Sequence, residues 1–117
     1  MELNQEASKK IEELQVLESN LQSLLAQKQS FQLELNEINN AIYELENMPK
    51  NEEEVYRMSY GIMLKSSKGK VIKDLNEKKK ISDVRISSIE RQQTSVEKNI
   101  EESRKEINNI LTKKKIK

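Results

Sequence analysis

The sequence of 117 residues contains no cysteine, no histidine and no tryptophan, and it has only one proline and two glycines. Without cysteine there are no disulfides and no thiolate chemistry, and without histidine the usual proton shuttle at neutral pH is missing. Metal sites made of cysteine and histidine are excluded for the same reason.

Enzymatic activity has no support elsewhere in the sequence. The carboxylates are spread over solvated positions, no glycine-rich loop follows a strand, and no nucleophile is paired with a base. Glu52, Glu53 and Glu54 follow Pro49 and are interpreted as a solvated turn rather than a metal site. The sequence therefore predicts no enzyme, no catalytic residue, no metal site and no cofactor.

Long hydrophobic runs are also missing. No stretch approaches the roughly 18 apolar residues that cross a bilayer, and residues 1–6 lack the basic and apolar regions of a signal peptide. Only 34% of the residues are hydrophobic while 35% are charged, which leaves little apolar surface for a compact core. We expect a soluble, cytoplasmic, single-domain protein with no membrane partner and a long helical or coiled-coil structure.

Charge divides the chain into two halves. Residues 1–48 carry nine acidic and three basic groups, net −6, and residues 49–117 carry eleven acidic and eighteen basic groups, net +7. Segments of opposite charge attract each other along their length. This predicts a chain that folds back on itself.

Residues 1–48 show a heptad pattern that Pro49 ends, and only Lys10 and Lys28 interrupt its apolar positions. Such a pattern is typical of a coiled-coil helix. The a positions are Ala7, Leu14, Leu21, Lys28, Leu35 and Ile42, and the d positions are Leu3, Lys10, Leu17, Leu24, Phe31, Ile38 and Leu45.

Residues 68–117 carry a weaker heptad pattern, and Ser66 or Ser67 offers a hydroxyl to cap the start of this second helix. The a positions are Ile72, Lys79, Ile86, Gln93, Ile100, Ile107 and Lys114, and the d positions are Leu75, Ser82, Ile89, Val96, Ser103 and Ile110.

Antiparallel pairing of the two helices matches a with d positions when the paired residue numbers add to 117. Leu45 then faces Ile72, and no two polar residues meet in one layer. Toward the chain ends the layers lose apolar area, as where Leu14 faces Ser103. We expect the ends to separate most easily, which would uncover Leu3, Ile11, Leu14, Ile107, Ile110 and Leu111.

Residues 49–67 interrupt the helices and read as a linker followed by a β-hairpin. Val55, Tyr56 and Met58 form one predicted strand, and Ile62, Met63 and Leu64 form the other. Ser59, Tyr60 and Gly61 lie between them, where glycine permits the positive φ of a tight turn. A lone two-stranded hairpin is marginal in water and has two open edges. The pattern predicts that this segment needs strands from other chains.

The order of long helix, hairpin and long helix resembles prefoldin, in particular the β-type subunits, which have one hairpin where α-type subunits have two. The resemblance covers the whole chain and departs from the family pattern at Ser59-Tyr60, where related sequences are more often aliphatic. It is carried by Gln27-Lys28-Gln29, residues 45–49, Val55-Tyr56-Arg57, Gly61, Ile62-Met63-Leu64-Lys65 and residues 75–80.

This resemblance implies a mainly α fold: an antiparallel two-helix coiled coil whose central β-hairpin joins an inter-subunit β-barrel. It implies a hexamer of two α-type and four β-type subunits that uses no ATP. Such a hexamer holds unfolded polypeptides between its coiled-coil tips and delivers them to a group II chaperonin.

Three sets of residues acquire expected roles from this resemblance. The client-binding tips are Leu3, Ala7, Ile11, Leu14, Ile107, Ile110 and Leu111. The oligomerisation hairpin comprises Val55, Tyr56, Met58, Tyr60, Gly61, Ile62, Met63 and Leu64. A possible chaperonin contact is formed by Lys113, Lys114, Lys115 and Lys117.

Simpler interpretations stand beside these roles. The tip residues could only complete the heptad seam, and the final lysines could be a solvated helix end that complements the helix dipole. The chain could also be a structural or adaptor coiled coil that dimerises through its heptads. Nucleic-acid binding is not predicted, because the lysines of residues 65–80 lack aromatic interleaving and a known motif.

Overall fold

The computed structural model describes the backbone of residues 2–116 and the side chains of residues 5–112. Helix α1 spans Glu2–Glu46, strand β1 Glu54–Ser59, strand β2 Ile62–Ser67 and helix α2 Lys68–Ile116. The predicted fold of two long helices with a central antiparallel hairpin is confirmed. Helix α1 ends two residues before the predicted boundary at residue 48, and α2 begins at the predicted residue.

The chain divides into two units. The end unit consists of Met1–Gln29 and Ser87–Lys117, and the hairpin unit consists of Ser30–Ile86. Each unit contains a part of both helices, so each has its own section of the heptad seam.

The buried residues in the described part of the chain all occupy predicted a or d positions, which confirms the seam. The buried residues are small or β-branched, and no aromatic residue is fully enclosed in the described part. In the hairpin unit the buried residues are Ile38, Ser82 and Ile86, and in the end unit they are Ala7, Ile89, Ile100, Ser103 and Ile110.

Contacts between the helices fit the predicted register. In the hairpin unit the Arg85 guanidinium lies 5.4 Å from the centre of the Phe31 ring, beside Ile86, the predicted partner of Phe31. In the end unit Lys10 Nζ lies 2.7 Å from Glu106 Oε2, next to Ile107, the predicted partner of Lys10. These neighbours agree with paired residue numbers that add to 117.

The interhelical ion pairs do not follow the overall charge of the two halves. Lys10 and Lys28 of the acidic half pair with Glu106 and Glu90 of the basic half, and the pair of Glu18 with Arg104 has the expected direction. The reason is local, because Lys10 and Lys28 inside the seam each pair with the nearest carboxylate at the edge of the seam on α2. Much of the opposite net charge of the halves therefore lies on faces that point away from the seam.

Strands β1 and β2 pair antiparallel through a two-residue turn, with Ser59 opposite Ile62. Both turn residues have positive φ, 50° at Tyr60 and 79° at Gly61, as in a type I′ turn, whose twist suits a hairpin. The prediction for Gly61 is confirmed. Tyr60 adopts the same left-handed region, which is uncommon for a residue with a side chain.

Helix α2 begins at a serine cap. The Ser67 hydroxyl accepts a hydrogen bond of 3.3 Å from the Lys70 amide, and the Lys68 amide donates to the Glu53 carbonyl at 2.8 Å. The cap satisfies an amide that the first turn of the helix leaves free. Of the two serines named from the sequence, Ser67 is the one that caps.

We expect Ser67→Ala to lower the free energy of unfolding by about 1 kcal/mol, because it removes this cap. Ser66→Ala is the matched control, since the Ser66 side chain makes no hydrogen bond among the described residues. Urea unfolding followed by circular dichroism would measure both variants. Equal stabilities would contradict a capping role for Ser67.

Candidate functional site

The hairpin exposes most of its apolar side chains. Val55 is half-buried, and Tyr60 at the turn is fully exposed. The other large apolar residues of the predicted oligomerisation hairpin are all exposed, namely Tyr56, Met58, Ile62, Met63 and Leu64. Exposed apolar groups concentrated in one short element are typical of a surface that contacts another protein.

Both faces of the hairpin contribute to this apolar surface. Successive side chains of a strand point to opposite faces, so the opposed pair of Met58 and Met63 lies on one face. Ile62 and Leu64 lie on the other face. A sheet that faces water on one side alternates apolar and polar residues. The hairpin lacks this alternation, which favours burial of both of its faces against other chains.

Both edges of the hairpin are unpaired within the described chain, because the sheet has only two strands. A two-residue turn makes Ser59 and Ile62 the hydrogen-bonded pair, so the backbone groups of Met58 and Met63 point outward. Rows of free amides and carbonyls are templates for strands of another chain. The hairpin can therefore extend a sheet on either side.

An ion pair holds the hairpin against the start of α2. Arg57 Nη1 lies 3.3 Å from Asp74 Oδ2. A groove between β1 and α2 surrounds the pair and is lined by apolar as well as charged side chains, among them Met58, Val71, Leu75 and Ile81. Since both partners are substantially exposed, the pair orients the hairpin more than it stabilises it.

The predicted tip residues fall into two groups in the structure. Ala7 and Ile110 are buried, and Leu14 and Ile107 are half-buried in the seam. Ile11 and Leu111 are exposed at 41% each. The side chains of Leu3, Lys113, Lys114 and Lys115, and all of Lys117, lie outside the described residues. Among the predicted tip residues whose side chains the structure describes, Ile11 and Leu111 are the exposed ones while the helices are paired.

The end unit contains one weak seam layer. Ser103 is buried, and its Oγ has no hydrogen-bond partner among the described residues. A buried hydroxyl without a partner costs about 1–3 kcal/mol. This layer agrees with the expectation that the helices separate most easily toward their ends.

Lys10 bridges the helices near the same end. The hydrogen bond and then the charge of Glu106 raise the pKa of Lys10 above its ordinary value, and Glu13 adds to the effect. A raised pKa on a cation means that its stabilising contribution is complete at neutral pH and is lost only as the pH rises through the raised pKa. The Lys10 ammonium is therefore fully charged at physiological pH.

Several exposed aliphatic residues lie outside the seam and have no role in the heptad pattern. Leu33 lies on α1, and Ile81 and Val84 lie on α2, all in the hairpin unit. The signal was present in the sequence, since aliphatic residues at outward heptad positions are unusual in so charged a chain.

Within the described residues, neither helix has a segment apolar enough to span a bilayer. The same part of the chain has no group of three or more carboxylates placed to hold a metal ion.

Comparisons with known proteins extend over nearly the whole chain. A family model described as "Prefoldin subunit" matches residues 8–114. The prefoldin subunit beta of Caldivirga maquilingensis is 29% identical over 86% of this chain and 83% of its own length, and that of Thermococcus kodakarensis is 31% identical over 85% and 84%. The crystal structure of the prefoldin beta subunit from Thermococcus strain KS-1 matches with a TM-score of 0.82 at 29% identity, covering 89% of this chain and 90% of that one. These relatives are archaeal.

Proposed function

This chain belongs to the prefoldin family, and from that premise we propose that it is a β-type subunit of an ATP-independent cytoplasmic chaperone. The chaperone holds non-native polypeptides at its coiled-coil tips and delivers them to a group II chaperonin. The complex contains two α-type subunits and four copies of this chain.

One observation carries the proposal: the hairpin is apolar on both faces and open at both edges. In a lone chain this arrangement exposes large side chains and leaves backbone groups without partners. Strands from neighbouring subunits supply the missing hydrogen bonds, and closure into a barrel removes the edges. Met58 and Met63 cover one side of the hairpin strands in that barrel, and Ile62 and Leu64 cover the other.

Client holding is assigned to the end unit. Ile11 and Leu111 offer apolar surface while the helices are paired. Separation at the weak Ser103 layer adds Leu14, Ile107 and Ile110 to that surface, and Ala7 and Leu3 complete the set. Contact with non-native chains through such residues requires no nucleotide, because burial of apolar area supplies the free energy.

Delivery to the chaperonin is assigned to the basic C-terminus. Lys113, Lys114, Lys115 and Lys117 would meet an acidic surface of the chaperonin, and such an interaction weakens steeply with added salt. This part of the proposal rests on the charge of the sequence.

Native mass spectrometry of this chain mixed with an α-type prefoldin subunit tests the proposal. We expect a six-subunit complex with two α-type chains, which suppresses aggregation of an unfolded protein without ATP. A homodimer of this chain that does not bind the α-type subunit would instead indicate an adaptor coiled coil and overturn the proposal.

A further inference from the structure

The hairpin unit has exposed aliphatic side chains on the outward faces of both helices. Leu33 on α1 is 57% exposed, and on α2 Ile81 is 54% and Val84 is 67% exposed. Leu33 and Val84 both occupy f positions of their heptads, directly opposite the seam. The two faces therefore point away from each other, and one chain cannot cover either of them.

These two aliphatic sites lie at the same level of the helix pair. The contact of Phe31 with Arg85 fixes the local register. Leu33 is two residues after Phe31, and Val84 is one residue before Arg85, so their numbers add to 117 like those of the seam partners. If two copies lie side by side with their hairpins at the same end, the two sites can meet only when they are at the same distance from the hairpin, as they are here.

Charges of opposite sign flank the two sites, although Glu77 also lies on the outward face of α2, level with Asn40. Glu37 and Glu44 follow Leu33 on the outward face of α1, four and eleven residues along. Lys80 and Lys73 precede Val84 on the outward face of α2 by the same intervals. All four side chains are exposed, and none belongs to an ion pair in the described part of the chain.

We infer that the outward face of α2 in one copy docks against the outward face of α1 in the neighbouring copy. The two helices run antiparallel there, and the level register places Leu33 against Val84. The same register places Glu37 against Lys80. One heptad further toward the hairpin it places Glu44 against Lys73.

The apolar and charged pairs between the two copies form together only in this register, so the contact is specific. A shift by one helical turn would place Leu33 against Lys80 and leave Glu37 beside Asn76. The inference rests on the proposed assembly through the hairpin, because that assembly brings copies side by side. It adds a second contact that aligns neighbouring coiled coils near the barrel.

Cysteine cross-linking tests the contact, since the natural chain has no cysteine. L33C and V84C chains are mixed, assembled with the α-type subunit and exposed to a mild oxidant. The control mixture replaces V84C by E77C, which lies two turns away on the same outward face. We expect the matched mixture to link roughly tenfold faster, because a disulfide needs Cα atoms within roughly 7 Å.

Charge reversal separates a specific contact from chance collisions. K80E added to the V84C chain should slow linking by roughly three- to fivefold, and E37K added to the L33C chain should restore it. Both changes are on exposed side chains, and circular dichroism would confirm that the variants fold.

Native mass spectrometry of the same samples distinguishes the possible failures. An intact six-subunit complex with equal linking in both mixtures overturns this inference and leaves the proposed function standing. Linking of V84C to a second V84C chain as fast as to L33C overturns it as well. Loss of the complex from the wild-type chains would overturn both.

Discussion

Gly61→Val abolishes assembly with the α-type subunit while both helices remain folded; this is the largest effect that we expect from a single substitution. Gly61 has a φ of 79°, and a β-branched residue in that region costs about 1–2 kcal/mol or more. A Cβ at this position would meet no atom within 4 Å, so the cost comes from the backbone alone. Since an isolated hairpin is only marginally stable, this penalty is enough to melt it.

Gly61→Asn is the matched control, because asparagine tolerates the left-handed region and adds a side chain of similar size. Native mass spectrometry would compare the two variants, and far-UV circular dichroism would report their helix content. We expect the asparagine variant to form the complex and the valine variant to remain unassembled with its helices intact. A valine variant that assembles normally would show that the turn is not required.

The double variant Ile11→Ser with Leu111→Ser suppresses aggregation much less well than the wild type, by on the order of tenfold in the chaperone concentration required. The two side chains are the exposed members of the described part of the predicted tip set, so we expect their loss to remove client contact without opening the seam. Aggregation of a chemically unfolded protein, followed by light scattering, measures the effect.

Leu25→Ser provides the control for this variant. Leu25 is 42% exposed, nearly the same as Ile11 and Leu111 at 41%, and it occupies the same e position of its heptad. It lies two heptads further from the chain end than Ile11, so we expect wild-type holding from this variant. Equal losses in Leu25→Ser would show that general surface hydrophobicity, and not the tip, holds the client.

Ile110 is unsuitable for such a test despite its place in the predicted tip set. It is buried in the seam of the end unit, so a polar substitution would loosen the helix pair as well as change the client surface. The same argument applies to Ala7. Exposure in the paired state therefore decides which substitutions report on client contact alone.

Much of the fold can be predicted from the sequence, because a heptad pattern indicates both that a segment is helical and which face of the helix packs against the other helix. The a and d positions predicted the buried residues, and the sum of paired residue numbers predicted the neighbours of Lys10 and Phe31. Gly61 predicted the turn for a physical reason, since only a few residue types accept its backbone angles. Family resemblance added the roles that periodicity alone does not provide.

Other features depend on three-dimensional context that periodicity does not contain. The positive φ of Tyr60 could not be predicted from its residue type. It is imposed by the two-residue turn, which requires this conformation at both turn positions. Which helix supplies the lysine and which the carboxylate of an ion pair depends on the carboxylates that lie near each seam lysine. The net charge of each half of the chain does not contain this information. Heptad letters also do not show that Ile110 is buried while Leu24, at a d position as well, is only half-buried, since exposure depends on the side chains of the facing helix.

The seam lysines favour one register between the two helices of the end unit. Lys10 and Lys28 reach carboxylates of α2 at 2.7 Å and 3.8 Å, and a slip of seven residues would move each of them roughly 10 Å from its partner. A purely aliphatic seam would accept that slip at little cost, and one arm would then overhang the other. The two lysines thus align the helices of the end unit, and with them the tip residues to which the proposed function assigns client holding.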